Sequence, residues 1–335
     1  MAVQSNNCLD DPLLLSEWFA IAWSSEVEAG KTLARRILNR DIVLWRSSTS
    51  NLHCWLDLCI HRGAKLSLGV IRSSPATGDC LVCPYHGWEY AASGQCVSIP
   101  AQPSLSPPAK AHATTYQVRE QFGVIWVCLG EPAAELPEFP LANEPGFRIL
   151  HAGPYRFRAL GPRLIENLLD VAHLGIVHAG LLGDPNRSEI EDYEVAMGPR
   201  GPEAKEIRIW QPNPDGTGVG AMIAYHYSVQ GPLTAGFVKR SGTQRLGFLA
   251  QVAPIDEATS EMRMVMAINY GEDIPDAELI AFQDRVVEQD RVIVESQRPE
   301  MLPLDLQSEL HLRSDRMAIA YRKWLREIGL SYGTA

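Results

Sequence analysis

The sequence predicts an α+β protein of two domains, a β-rich first half followed by a half that mixes strands with helices. Three observations carry this. Short β-branched and aromatic runs broken by Gly, Pro, Ser and Asn fill the first 130 residues or so. A proline-rich stretch, "GEPAAELPEFPLANEP", then interrupts the pattern. Beyond it, long helical repeats appear, ending in "DAELIAFQDRVVEQDRVIVESQ" and "SDRMAIAYRKWLREIG". The boundary is placed inside the proline-rich stretch, giving domains 1–135 and 136–335.

In the first domain, "FAIAW", "DIVLW", "LHCWLDLCI", "LVCPY" and "VIWVCLG" read as the strands of an antiparallel β fold. In the second, "PRLIENLLDVAHLGIVHAGLL" (162–182) reads as a helix with a disturbed end. Strand-like runs follow between Lys205 and Tyr270, and Met262, Met264 and Met266 alternate with Arg263, Val265 and Ala267 as on a two-faced strand. Ser314 is the expected N-cap of the last helix and Gly329 its stop.

Composition narrows the function. With 335 residues, 46% hydrophobic and 21% charged, the chain is ordinary for a globular protein, and its net charge of −10 argues against nucleic-acid binding. The charge suits a small-molecule enzyme or one that docks a partner electrostatically. No run approaches the ~18 apolar residues of a membrane span, and "MAVQSNNCLDDPLLL" does not read as a signal peptide. The seven cysteines (8, 54, 59, 80, 83, 96, 128) are odd in number and several lie beside histidines, which favours reduced thiols, metal binding and a cytoplasmic location.

Two cysteine–histidine pairs stand out. Cys59 and His61 lie in "DLCIHRGAKLSLG", and Cys83 and His86 in "CPYHGWEY". Two thiolates and two imidazoles suit either tetrahedral zinc or a [2Fe–2S] cluster with cysteines on one iron and histidines on the other. One Cys and one His per loop favours the cluster, since each loop then reaches both irons. The competing reading is a zinc knuckle built on Cys80-x-x-Cys83 with Cys54 or Cys59, which strands two well-placed histidines. The remaining cysteines read as small apolar or plain loop residues.

A second constellation lies in "NLLDVAHLGIVH". Asp170 and His173 are three apart and face the same way on a helix. His173 and His178 are five apart, about 140° around a regular helix, so both reach one metal only if the helix bends or ends near Gly175. Two histidines and one carboxylate are the ligand set of non-haem Fe(II) oxygenases. Asp170 is nearest in sequence but equally suited to hold a ligating histidine from behind. Asp290 sits among Val286, Val287, Ile293 and Val294 at i±3 and i±4, and an acid on such a stripe needs a cation or partner. Asp284 has its stripe interrupted by Glu288, so Asp290 is favoured; pairing of Asp290 with a buried arginine is the plain structural alternative.

These stretches resemble a known family. "CIHRG", "CPYHGWEY", "GQCVSIPA" and "FGVIWVCLG" are similar to Rieske domains, and "NLLDVAHLGIVH" and "EQDRVIVESQ" to the iron motifs of Rieske non-haem iron oxygenases. The resemblance runs from "EWFAIAW" to "YRKWLREIGLSYG". One departure is the separation of 21 residues between His61 and Cys83, longer than usual, with the surplus in "RSSPATGDC". "ESQRPEMLP" and "SDRMAIAYRKWLRE" look most like the compact homotrimeric branch of alkaloid N-demethylases, aromatic O-demethylases and saxitoxin-tailoring hydroxylases. "LGDPNRSEIEDYEV" and the closing helix look most like the last of these.

The resemblance implies a helix-grip catalytic domain, an antiparallel sheet around the helix that carries Asp290. It implies Cys59, His61, Cys83 and His86 as cluster ligands and His173, His178 and Asp290 as iron ligands. Asp170 matches the family's bridging acid and Asn167 its nearby polar residue. It further implies a head-to-tail homotrimer in which Asp170 joins His173 to His86 of the neighbouring subunit. A separate reductase or ferredoxin, fed by NAD(P)H, would supply electrons for O2-dependent hydroxylation, or for N- or O-demethylation with loss of formaldehyde. Expected pocket residues are Met222, Tyr225, Tyr227, Phe237, Phe248, Met264 and Tyr270, any of which could equally be plain core. The alternative class is an electron-transfer or metal-stabilised binding protein without oxygen chemistry.

Overall fold

The computed structural model describes residues 9–74 and 78–335. The chain divides into two compact units, one of residues 12–136 and one that joins residues 9–11 to 137–335. Cys8, and residues 75–77 within "RSSPATGDC", lie outside the described residues.

The first unit is built of antiparallel strands after a short helix, α1 (Pro12–Leu15). These are β1 (Phe19–Trp23), β2 (Thr32–Ile37), β3 (Arg40–Arg46), β4 (Leu52–Leu56), β5 (Val70–Ser74), β6 (Gly78–Val82), β7 (Glu89–Ala91), β8 (Cys96–Ser98), β9 (Thr115–Gln121) and β10 (Val124–Cys128). One sheet runs β1-β10-β9-β4-β3-β2 and a smaller one β5-β6-β7-β8. "VIWVC" is buried along its whole length, as a strand between two neighbours should be, whereas β9 alternates with its charged residues outward. The surplus segment after His61 forms the β5–β6 hairpin, with Arg72 opposite Cys80. Expected strand "LHCWLDLCI" ends early, at Leu56, because the chain turns there to form the first cysteine loop.

The second unit contains one sheet in the order β11-β17-β16-β15-β14-β13-β12. Its strands are β11 (Arg148–Phe157), β12 (Val195–Met197), β13 (Pro202–Gln211), β14 (Ala221–Gly231), β15 (Thr234–Ser241), β16 (Gln244–Pro254) and β17 (Ser260–Ile268), all antiparallel. Alternation in β14 turns Ile223, Tyr225, Tyr227 and Val229 inward. Register sets Tyr227, Phe237 and Phe248 side by side across three strands. The rings of Tyr225, Tyr227, Phe237 and Phe248 lie at 4.9–5.4 Å from one another along this row, an aromatic wall.

Three helices complete the unit: α2 (Gly161–Leu169), α3 (Asp276–Val294) and α4 (Arg316–Ile328). The expected helix over 162–182 is shorter than predicted. It ends at Leu169, and Asp170 adopts an extended backbone while its carboxylate accepts from Ala172 N–H at 2.8 Å. That local bond competes with helix continuation, and a single 3-10 turn, Ala172–Gly175, follows instead. Gly329 closes α4 in the left-handed region at φ +78°, as expected. The helix starts after Asp315, not Ser314, because a 3-10 turn at Arg313–Asp315 precedes it.

A buried ion network fixes α2 to α4. Arg322 donates to Glu166 at 2.5 and 2.9 Å and to Glu309 at 2.5 Å, and Arg163 reaches Glu309 at 3.0 Å. Both arginines are 3% exposed. Removing one member of such a set leaves a buried charge short of partners. Arg322→Met is therefore expected to destabilise the protein by about 3 kcal/mol, measured by chemical denaturation, with Glu166→Gln in the same background recovering part of the loss.

Candidate metal centres

In the first unit, the two cysteine loops share one backbone frame. Cys59 N–H donates to Ala64 O at 2.8 Å, and Gly63 N–H donates back to Cys59 O at 2.9 Å. In the second loop Cys83 N–H donates to Trp88 O at 2.8 Å and Gly87 N–H to Cys83 O at 3.1 Å. Both glycines sit four residues after the cysteine with φ near +70°, a conformation that L side chains adopt only with strain. Each loop therefore folds back on its own cysteine and projects its histidine from the tip. Both cysteines are buried, His61 is half-buried and His86 is exposed.

The rings of His61 and His86 lie 4.5 Å apart, and His61 stacks on Trp88 at 4.5 Å and 7°. His61 Nδ1 is buried with no hydrogen-bond partner among the described residues. Two buried sulfurs and two imidazoles at the rim are a donor set that fits a [2Fe–2S] cluster. Sequence reasoning missed Tyr90, whose hydroxyl lies 3.1 Å from Cys59 Sγ. Tyr90 meets Trp55 edge-on at 6.4 Å, and Trp55 meets Trp45 at 5.1 Å, so the core of the unit holds this hydroxyl in place. A hydrogen bond to a ligating sulfur tunes a cluster's potential. Cys54, Cys80, Cys96 and Cys128 are buried.

In the second unit, His173, His178 and Asp290 each offer a ligand atom, all within 4.8 Å of one another. His178 Nε2 is 3.1 Å from Asp290 Oδ1 and His173 Nε2 is 3.5 Å from the same oxygen. The chain achieves this because α2 stops before His173, leaving both histidines on a tight irregular turn. Among the described residues the ionic partners of Asp290 are these histidines, not an arginine. Asp284 is exposed and accepts from Tyr155 Oη–H at 2.7 Å, which occupies it elsewhere. The stripe around Asp290 holds in part: Val286, Val287 and Val294 are buried, but Ile293 is 45% exposed.

The supporting groups are specific. Gln289 Oε1 lies 2.8 Å from His178 Nδ1, so that nitrogen carries the proton and Nε2 presents a lone pair. Asn167 Nδ2 reaches Asp290 Oδ1 at 3.4 Å, and Asp170 Oδ2 lies 3.5 Å from His173 Nδ1. Burial opposes charge on His178, yet Asp290 and Gln289 outweigh it and hold the imidazole above its ordinary pKa. Without a metal, a proton on His178 Nε2 can bridge to Asp290; with that proton gone, the lone pair and the carboxylate are a donor set that fits a ferrous ion. Gln289 was not anticipated, since its pairing with His178 spans 111 residues and leaves no local pattern.

The three groups line a cavity of about 610 Å³, part of it open to solvent. Tyr225, Tyr227, Phe237, Phe248 and Met264 line it, as does Asn167. Met222 does not: it is 52% exposed, because β14 alternation turns it outward. Tyr270 lies outside the lining as well, with its hydroxyl donating to Pro214 O at 3.3 Å. Because Gln289 fixes the ring that offers Nε2, Gln289→Leu is expected to weaken iron retention about 10- to 100-fold, read by iron analysis after dialysis against a graded chelator series.

The comparisons agree with this geometry. Residues 17–117 match the Rieske [2Fe-2S] domain, and residues 157–330 match the vanillate O-demethylase oxygenase C-terminal domain. The chain is 31% identical to methylxanthine N1-demethylase NdmA of Pseudomonas putida, over 93% of this chain and 88% of that protein. It is 28% identical to methylxanthine N3-demethylase NdmB of the same organism, over 99% and 94%. The solved structure of Pseudomonas putida NdmA with caffeine superposes with a TM-score of 0.80 at 29% identity, covering 96% of this chain and 94% of that one. A Rieske domain followed by an oxygenase domain, each carrying its own converged donor set, makes this chain a member of the Rieske non-haem iron oxygenase family.

Proposed function

We propose that the chain is the oxygenase component of a monooxygenase that removes an N-methyl group from a small heterocycle bound beside His173, His178 and Asp290. The observation that carries the reading is the convergence of those three donors in an aromatic-walled cavity. Similarity to two N-demethylases over nearly the whole chain favours N-methyl carbon over other targets. Bound at these residues, the ferrous ion supplies oxygen activation and the cluster supplies electrons singly. Hydroxylation of an N-methyl carbon gives a carbinolamine that separates into amine and formaldehyde; at a carbon bearing no heteroatom the alcohol is kept.

The chain's own residues have assignable tasks in this reading. Cys59, His61, Cys83 and His86 hold the cluster, and His173, His178 and Asp290 the iron. Gln289 orients His178, and Asn167 steadies Asp290. The aromatic wall gives the cavity an apolar lining suited to a small heterocycle. Electrons arrive from a separate reductase or ferredoxin that draws on NAD(P)H. A cytoplasmic location accords with the thiols grouped beside histidines at Cys59 and Cys83; no described helix is long and apolar enough to cross a membrane.

A head-to-tail homotrimer is part of the proposal. In the first unit, Leu58, Ile60, Leu68, Val70 and Tyr85 are exposed around the cluster loops. In the second, a cleft lined by Asp170, His173 and His311 has Ile293 and Leu310 at its rim, 45% and 89% exposed. Apolar groups exposed around both features suit mutual burial between copies. Asp170 has one oxygen on Ala172 N–H and the other toward His173, and in such a trimer it would receive His86 of a neighbouring copy.

The test supplies reductase, NADH and oxygen to protein with both centres loaded, against N-methylated heterocycles and methoxyarenes. Formaldehyde released one-for-one with substrate is expected; hydroxylated product without formaldehyde would redirect the reading to hydroxylation. Absence of substrate-stimulated oxygen uptake across the panel would contradict it. Asp170→Asn is expected to retain both metals while turnover falls about 100-fold.

A further inference from the structure

Behind the aromatic wall lies a buried polar chain that the metal sites do not use. Lys239 is 7% exposed and Gln211 1%. Lys239 Nζ donates to Pro214 O at 2.7 Å and to Gln211 Oε1 at 3.4 Å. Gln211 Nε2 donates to Leu182 O at 3.0 Å and to Tyr225 Oη at 3.0 Å. Tyr225 lines the cavity.

The direction of this chain is forced by chemistry. An ammonium only donates and a peptide carbonyl only accepts. Gln211 must therefore turn its oxygen to Lys239 and its nitrogen to Leu182, which leaves its second N–H for Tyr225. The Tyr225 oxygen accepts that bond, so its own proton must point elsewhere. Among the described residues it meets no acceptor. Burial lowers Lys239 to about 8, so it still carries its charge at neutral pH. A cation at the head of a hydrogen-bond chain strengthens each donor after it.

Taking the cavity as the substrate site, which rests on the proposed function, we infer that Lys239, Gln211 and Tyr225 form a one-way relay presenting the Tyr225 O–H to the cavity as a fixed donor. It selects substrates that carry an uncharged acceptor, a carbonyl oxygen or a ring nitrogen. Tyr225 touches the ligand; Gln211 and Lys239 are positioning residues that set which way its proton points.

Three isosteric probes test this by ligand-observed NMR: 1-methyl-2-pyridone (acceptor), o-xylene (neither) and o-toluidine (donor). Iron content and a nitrosyl signal are recorded first on each protein, so loss of the iron site, which would overturn the proposed function, is seen separately. Tyr225→Phe is expected to weaken pyridone about two- to tenfold relative to o-xylene, the worth of one hydrogen bond. Gln211→Glu cannot donate to Tyr225, so the phenol turns to the carboxylate and shows the cavity a lone pair. Pyridone should then weaken and o-toluidine strengthen relative to o-xylene, a change of sign that a packing defect would not give. An unchanged pyridone ratio in Tyr225→Phe, unchanged ratios in Gln211→Glu, or undetectable pyridone binding to the wild type would each overturn the relay.

Discussion

The second unit is organised around one electrostatic demand. Two imidazole nitrogens and a carboxylate oxygen converge within 4.8 Å, a donor set that suits a divalent cation. Several features of the backbone serve this convergence. Helix α2 stops at Leu169, because Asp170 takes an N–H that a continuing helix would use, and His173 and His178 fall on an irregular turn. Helix α3 sets Asp290 against His178 Nε2 and Gln289 against its Nδ1. The buried Glu166–Arg322–Glu309 network holds the helix from which the turn departs.

The first unit solves a related problem by a different route. Cys59 and Cys83 must be buried while their histidines reach the surface, and both loops achieve this with a glycine four residues on. The shared frame explains why Cys-x-His and Cys-x-x-His are compatible: the closing bonds depend on the cysteine and glycine, and the histidine occupies either of two positions at the tip. Tyr90 links the tryptophan core to the buried sulfur.

Much of this was legible in sequence. Ligand pairs on short loops are local, and strand runs such as "VIWVC" declare their burial by composition. Asp290 was separable from Asp284 by its neighbours, although Ile293 is exposed and only part of that argument holds. The illegible parts depend on distant partners. Helical periodicity over 162–182 overstated the helix because one side-chain bond at Asp170 decides its end. Gln289, Tyr90 and the Lys239–Gln211 pair carry no pattern that reveals what they face. Met222 and Tyr270 were misassigned to the cavity because composition does not fix which way a strand residue turns or where its edge lies.

The central claim is that His173, His178 and Asp290 hold an open ferrous ion separate from the Rieske cluster. Electron paramagnetic resonance on anaerobically reduced, iron-loaded protein exposed to nitric oxide tests it most directly, comparing wild type with Asp290→Ala. A Rieske signal is expected in both and a nitrosyl-iron signal in the wild type only. A wild type with a cluster signal and no nitrosyl species, or a nitrosyl signal that survives in Asp290→Ala, would contradict it.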